Sequence, residues 1–359
     1  MEKRIVFPTS PLSRRTLLRR GSMGALVTIV GGLLPQHQAS AEALMEFRQA
    51  RYIMGTIVEI VVAAPHKHTA EQAMEHGFQA LRQVEQRMSI YQATSALSRI
   101  NRLAADTRMP LEADLFTVIA AALDVARQSD GALDVTVLPL MHLWGFVQQA
   151  GRVPTASEIA ATLPLVNYRH VQLDLAQSAI RFTRKGMGLD LGGIAKGFAV
   201  DNALQALLAQ GVSRAIVNAG GDLFAMGTAP SETPWLVDIQ HPSIPERTLA
   251  TMRVHNRSVA TSGDYEKFFE QDGKRYCHLI DPRSGYPVQD IASVTVLADT
   301  TMQADALSTA AFILGPDKGV ALLEQLPNVD GVVVVRQDTT PEALDIRVTR
   351  GLQGVIALH

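Results

Sequence analysis

Three stretches of this chain carry residues whose types and spacing could do chemistry. In Gly188-Leu189-Asp190-Leu191-Gly192-Gly193-Ile194-Ala195-Lys196-Gly197, glycines sit between a short apolar run and a helix start. Backbone amides at a helix N-terminus attract anions, glycine lets a phosphate approach closely, and Lys196 in the first turn adds a positive charge. The spacing is neither that of a Walker loop nor that of the dinucleotide fingerprint. On spacing alone it serves equally as a turn that lets strand and helix pack closely.

The second stretch, Ala304 to Phe312, puts Asp305 and Thr309 four apart, on one helix face among small apolar neighbours. A carboxylate packed there needs a partner, because an unpaired buried charge is costly. A hard cation would take the Asp305 carboxylate and the Thr309 hydroxyl as oxygen ligands, with phosphate oxygens and water completing its shell. The competing role is an Asp favoured by the helix dipole and a Thr bonded one turn back. The third stretch, Tyr276 to Gly285, offers His278 as a base or a phosphate contact, next to an Asp281-Pro282-x-x-Gly285 turn. A lone strand histidine is more often structural.

Other chemistries fail at their first motif. There is no H-E-x-x-H and no G-x-S-x-G. The one cysteine, Cys277, can neither form an intramolecular disulfide nor supply a multi-cysteine zinc site. A formal net charge of -2 gives no electrostatic reason for a nucleic-acid partner.

The elements that must position these residues follow from periodicity. Arg51 to Val62 reads as a strand, and Thr69 to Ile90 as a helix with Ala73, Phe78, Leu81, Val84 and Met88 on one stripe. Helices are predicted at Glu112 to Gln128, with Gly131 beyond its end, and at Ile194 to Gln210, ending at Gly211. Short strands are predicted at Val171 to Leu175, Ala179 to Thr183, Arg214 to Asn218, Trp235 to Gln240, Leu249 to Val254 and Ala292 to Ala298. Asp272-Gly273 joins Tyr265–Gln271 to Lys274–Ile280 as a hairpin. Thr300 and Gln303 have capping-box spacing for a helix from Thr301 to Leu314, which Gly315-Pro316 ends. Gly331 to Arg336 precedes a short C-terminal hairpin. The mixture predicts a single α+β domain, with antiparallel sheet packed against helices.

Ahead of that domain, Ser13-Arg14-Arg15-Thr16-Leu17-Leu18 precedes an uncharged stretch, Gly21 to Leu34, followed by Ala39-Ser40-Ala41. The run is too short and glycine-rich for a comfortable spanning helix and reads as an export signal of residues 1–41, cleaved after Ala41. The paired arginines resemble a twin-arginine signal, whose route carries folded proteins. The expectation is a soluble periplasmic domain of residues 42–359 with no transmembrane segment. No cysteine follows the apolar run to carry a lipid anchor.

Taken together and in order, several stretches resemble the ApbE family of FAD:protein FMN transferases. They are Tyr52 to Thr56, Met88 to Tyr91, Asp130 to Thr136, Asp190 to Gly197, Asn218-Ala219-Gly220-Gly221-Asp222, His278 to Gly285 and Ala304 to Thr309. The resemblance implies that FAD is contacted by Met54, Tyr91, Ala132, Leu133, Asp134, Asp190, Lys196 and Ile280. It implies that Mg2+ is held by Asp305, the Thr309 hydroxyl and a backbone carbonyl at Gly193. The implied reaction breaks the FAD pyrophosphate, releases AMP and places FMN on a threonine of a partner, a flavoprotein subunit of a redox complex. His278 is the candidate general base. Hydrolysis of FAD to FMN and AMP, or FAD binding without catalysis, are the alternatives. Many relatives carry a lipid-anchor cysteine at the signal, which this chain lacks.

Overall fold

The structure, a computed structural model, describes residues 4–6, 43–244, 246–337 and 343–359. Residues 7–42, which hold nearly all of the expected export signal, lie outside the described residues.

The expected strand over Arg51 to Val62 is instead a hairpin. Met54 and Gly55 have φ of 55° and 75° and close a two-residue turn between β1 (Met45–Ile53) and β2 (Thr56–Ala64). Such turns need positive φ at both central residues, which methionine adopts reluctantly. Glu85 helps to hold it, its carboxylate accepting the Met54 N–H at 2.9 Å.

Six further strands complete the main sheet: β3 (Ala215–Ala219), β4 (Asp222–Met226), β5 (Arg257–Gly263), β6 (Ile291–Ala298), β7 (Asp330–Arg336) and β8 (Leu344–Val348). Spatial order equals chain order, and every neighbouring pair is antiparallel. Connections in such a meander alternate between the two ends of the sheet. The β1–β2, β3–β4 and β5–β6 connections therefore emerge together, and they carry Met54, the Gly220–Gly221 turn and the segment from Asp264 to Asp290. The predicted C-terminal hairpin does not form. β8 pairs with β7, whereas Ala357–Leu358 pairs with Thr248–Val254 in a second, three-stranded sheet with Trp235–Gln240. The segments separate because each finds a different sheet edge to satisfy its backbone.

The described helices are α1 (Lys67–Met88), α2 (Ala96–Leu103), α3 (Ala113–Gln128), α4 (Leu138–Leu143), α5 (Ala156–Thr162), α6 (Ala195–Ala209), α7 (Thr301–Leu314) and α8 (Pro316–Glu324). On one face of the main sheet, α1, α6 and α7 bury Phe78, Leu81, Leu207, Leu307 and Phe312 with the strands. On the other, the second sheet closes a smaller core of Trp235, Val237, Ile239, Met252 and Val254 over Val61, Leu223 and Val334. This is the expected α+β architecture. A third strand, Arg4–Val6, pairs with the Phe268–Gln271 side of the predicted hairpin.

Helix α7 has the predicted bounds. Thr300 caps it, its hydroxyl accepting the Gln303 N–H at 3.2 Å, and Asp201 of α6 takes two more first-turn donors, Thr301 N–H at 2.8 Å and Met302 N–H at 2.9 Å. The unmet amides of a helix start are thus answered by a carboxylate from a neighbouring helix. Gly315, at φ 82°, ends the helix as expected. Pro316, read from sequence as a stop, is also the first residue of α8, a position proline suits because its missing N–H would be unpaired there anyway.

The α6–α7 crossing depends on Gly197. A Cβ built there would stand 2.2 Å from the Thr301 carbonyl oxygen and 2.8 Å from the Met302 Cα. These are backbone atoms that cannot swing aside. Gly197→Ala should therefore destabilise the protein by about 1–3 kcal/mol, read as a lowered denaturant midpoint with an unchanged slope. A midpoint equal to wild type would show that the helices separate freely.

Candidate functional site

The glycine-rich loop enters α6 under several constraints. Asn101 of α2 clips it at Leu189, donating from Nδ2 to the carbonyl at 2.9 Å and accepting its N–H at 2.8 Å. Asp190 donates its N–H to the Val135 carbonyl at 2.8 Å, and its Oδ1 accepts the Gly192 N–H at 2.8 Å. Burial raises the Asp190 pKa, against the charges of Lys267 and His142. Gly193 backs onto α7, where its missing Cβ would lie 3.0 Å from the Thr309 hydroxyl oxygen.

Asp305 and Thr309 thus reach the loop from α7. Both are buried, Asp305 to 2% exposure. Asp305 Oδ2 accepts the Gly197 N–H at 2.9 Å. The Thr309 hydroxyl lies 3.2 Å from that of Ser262 on β5, and Ser262 is 2.9 Å from Ser308. Next to them Lys196 of α6 is ion-paired with Asp222, the first residue of β4. Burial alone would lower the Lys196 pKa, but the charges of Asp222 and Asp305 overcome it and hold the ammonium above its ordinary value. Asp222 is 1% exposed, and its Oδ1 has no hydrogen-bond partner among the described residues. Burial raises the pKa of Asp305, and that of Glu266, where the Asp305 charge adds to the rise. Asp222, Asp305 and Glu266 all act on the Lys196 ammonium, and even with Lys267 acting on Glu266 the carboxylates outnumber the ammoniums, leaving excess negative charge.

That excess suits a divalent cation. Asp305, the Thr309 hydroxyl and the Gly193 carbonyl would supply hard oxygen ligands, the chemistry Mg2+ prefers. Among the described residues no cluster of three or more His, Cys, Asp or Glu is arranged to hold a metal by itself. A shell built here needs backbone, hydroxyl or substrate oxygens as well.

His278 follows the hairpin of Phe268–Gln271 and Lys274–Cys277, whose turn residues Asp272 and Gly273 have φ of 53° and 74°. Its Nδ1 is 3.2 Å from the Lys267 carbonyl, which can only accept, so the proton sits on Nδ1 and Nε2 keeps its lone pair. Burial, assisted by the charge of Lys267, lowers the His278 pKa to about 3. The imidazole is a neutral acceptor, the form a general base needs.

Other predicted contacts have more limited roles. Tyr91 is 58% exposed, yet desolvation and the nearby Asp190 charge push its hydroxyl pKa up to about 12. Met54 sits at its hairpin turn, partly buried. Ala132 and Leu133 are buried. The Asp134 carboxylate is occupied by protein donors, taking Thr136 N–H at 2.9 Å, Thr136 Oγ1–H at 2.7 Å and Tyr168 N–H at 2.7 Å. Ile280 is buried in a third core with Trp144 and Phe269 and bridges to Pro287. The side chains of Ala132, Leu133 and Ile280 are thus packed in cores, and that of Asp134 is taken up by protein donors.

Asp222, Glu266, Lys267, Ser262 and Asn101 belong to the same neighbourhood without a role assigned from sequence. The one available signal was Asn218-Ala219-Gly220-Gly221-Asp222. Gly220, at φ 64°, leaves no room for a side chain beside Thr56, and Asn218 Oδ1 accepts the Gly221 N–H at 3.0 Å. That turn fixes where Asp222 begins.

A buried acid cluster facing a glycine loop, with a neutral histidine nearby on an α+β meander, defines a class of nucleotide-handling site. Residues 54–333 match the ApbE family, and the chain belongs to that family. It is 32% identical over 328 residues to the FAD:protein FMN transferase of Treponema pallidum, covering 87% of this chain and 90% of that protein. To the Haemophilus influenzae protein of the same name it is 36% identical over 278 residues, covering 75% and 80% respectively. The flavin transferase ApbE structure from Vibrio cholerae superposes with a TM-score of 0.78 at 29% identity, covering 87% of this chain and 99% of the other. The Thermotoga maritima ApbE protein gives 0.79 at 30% identity, with the same two coverages.

Proposed function

We propose that this chain is an FAD:protein FMN transferase that moves FMN from FAD to a threonine of an acceptor protein, with release of AMP. The observation that carries it is the packing of Asp305 and Thr309 onto the Gly193–Gly197 loop. There an oxygen donor set and a glycine-lined helix start meet, as a metal-bound diphosphate requires. Family membership and the names of the relatives support the same activity.

Mg2+ at Asp305, Thr309 and Gly193, when bound, supplies charge stabilisation for the diphosphate oxygens. The protein's own residues supply the rest. Met54 and Tyr91 flank the flavin nucleotide, and Asp190, clamped by Gly192, holds the loop open to it. Lys196 stays beside the reacting centre, tied to Asp222. His278 Nε2 takes the proton of the acceptor hydroxyl as its oxygen bonds to the FMN phosphorus. The bond from that phosphorus to the bridging oxygen breaks, and AMP leaves with that oxygen.

Arg14-Arg15 and the small-residue site ending at Ala41 support export through the twin-arginine route and work in the periplasm. No helix of the described residues is long and apolar enough to cross a membrane.

The test is intact mass of a threonine-bearing acceptor flavoprotein after incubation with enzyme, FAD and Mg2+. The expected result is a shift by one FMN, with AMP appearing in equal amount. Release of FMN and AMP without labelled acceptor would make the chain a pyrophosphatase. Unconsumed FAD would leave a binding protein.

A further inference from the structure

We propose that Lys267 is a phosphate-contacting residue of this site, its ammonium meeting the FAD diphosphate on the His278 side and holding the transferred phosphoryl group beside that imidazole. The proposal rests on the flavin-transfer reading above and names a group that neither the sequence motifs nor the metal ligands include.

Two lysines, Lys196 and Lys267, lie near His278, and they differ in how far their charge is already met. A diphosphate brings about two negative charges to the site. Lys196, the lysine of the glycine loop, is already ion-paired with buried Asp222 and has the Asp305 charge close by. Its charge is largely compensated before any ligand arrives. Lys267, partly buried at the entry to the hairpin, makes no side-chain hydrogen bond or ion pair among the described residues. An ammonium held partly out of water without a partner is an incomplete arrangement that an anion completes.

Its position is fixed from both sides. The Lys267 carbonyl accepts both the backbone N–H of His278 at 2.9 Å and the imidazole Nδ1–H at 3.2 Å, so the lysine and the candidate base are held as one unit. The lysine's charge also reaches Asp190 on the glycine loop and its neighbour Glu266. A partly buried cation whose backbone is tied to the histidine, and whose charge reaches the loop acid and the acid cluster, is within electrostatic range of a diphosphate spanning loop and base.

The test compares Lys267→Met and Lys267→Arg with wild type, using flavin fluorescence to follow binding of FAD and of riboflavin, which has the same ring system and no phosphate. Lys267→Met should weaken FAD binding about tenfold or more, leave riboflavin binding unchanged, and lower kcat for FMN transfer with the KM for acceptor protein unaltered. Lys267→Arg should restore most of the FAD affinity. Removing the lysine also removes a repulsion on the protonated imidazole, so the acid limb of kcat/KM should move to higher pH, which a loss of packing would not produce. Equal FAD affinity in Lys267→Met and wild type, or equal weakening of FAD and riboflavin, would overturn the proposal while wild-type transfer upheld the flavin reading. Wild type that neither binds FAD nor labels acceptor would overturn both.

Discussion

Asp305→Asn is expected to slow FMN transfer by about 10³-fold, the rate equivalent of several kcal/mol of lost charge stabilisation at the reacting phosphates. The substitution keeps shape and one acceptor oxygen, so the Gly197 N–H that now bonds Oδ2 at 2.9 Å retains a partner. What disappears is the anionic ligand. Without metal the variant should melt close to wild type, because the repulsion it relieves at Asp222 and Glu266 is set against the attraction to Lys196 that it gives up. Adding Mg2+ should raise the melting temperature of wild type, since binding to the folded state alone stabilises it, and leave the variant unmoved. Initial rates at saturating FAD and Mg2+, with melting curves in chelator and in Mg2+, decide the matter. A variant with wild-type rates, or the same Mg2+ response, would remove Asp305 from the metal site.

The second large effect lies at His278. His278→Asn places an amide nitrogen where Nδ1 now donates to the Lys267 carbonyl and leaves nothing at Nε2. Loss of a general base costs roughly 10²–10⁴-fold in rate, and FAD binding should persist. The same variant carries a pH signature in stability. The pKa of His278 falls from an ordinary 6.5 to about 3 on folding, chiefly through burial. Between those values the unfolded chain binds a proton that the native imidazole refuses. Stability from this group is therefore present above pH 6.5 and is lost as pH falls toward 3. Relative to the variant, wild type should lose up to about 1.4 kcal/mol per pH unit across that window. Parallel stability curves from urea titrations would show that the imidazole is not held neutral.

Much of the frame was legible in the sequence because local signals and tertiary packing agree there. Helix α7 runs from Thr301 to Leu314 as expected, with a Thr cap before it and glycine after it, and α6 differs from expectation only at its terminal residues. The β1–β2 turn was hidden because Met54-Gly55 lacks the Asn or Asp that usually marks such a turn, and the apolar run continues through it. β5 was missed because Ser258, Thr261 and Ser262 break its apolar pattern. Those hydroxyls are bonded, Ser258 to the Ala298 and Thr300 carbonyls at 2.8 and 2.9 Å, and Ser258 and Ser262 are buried.

The site was legible as a set of residue types but not as a balance of charge. Nothing local in Lys196 announces that its partner is Asp222, 26 positions away, or that Lys267 makes no ion pair among the described residues. Such pairings are made by the crossing of α6 over the strand ends, and sequence spacing does not encode them. Asp134 shows the reverse. A carboxylate within a motif became a structural cap once Tyr168 and Thr136 were folded around it.

The meander order of the main sheet has a kinetic consequence. Most neighbouring strands are joined by short or moderate segments, but β2 pairs with β3 from Val58↔Ala219 to Val62↔Ala215, across about 160 positions of chain. Closing so long a loop carries an entropic cost that nearby contacts do not help to meet until it is closed. Everything between, including α1, Tyr91, Asp190 and the start of α6, is bracketed by that pairing, while Asp222 and Asp305 lie beyond it. The candidate site is therefore expected to form only once the two halves of the sheet have joined, so that its assembly should coincide with the slow pairing of distant strands.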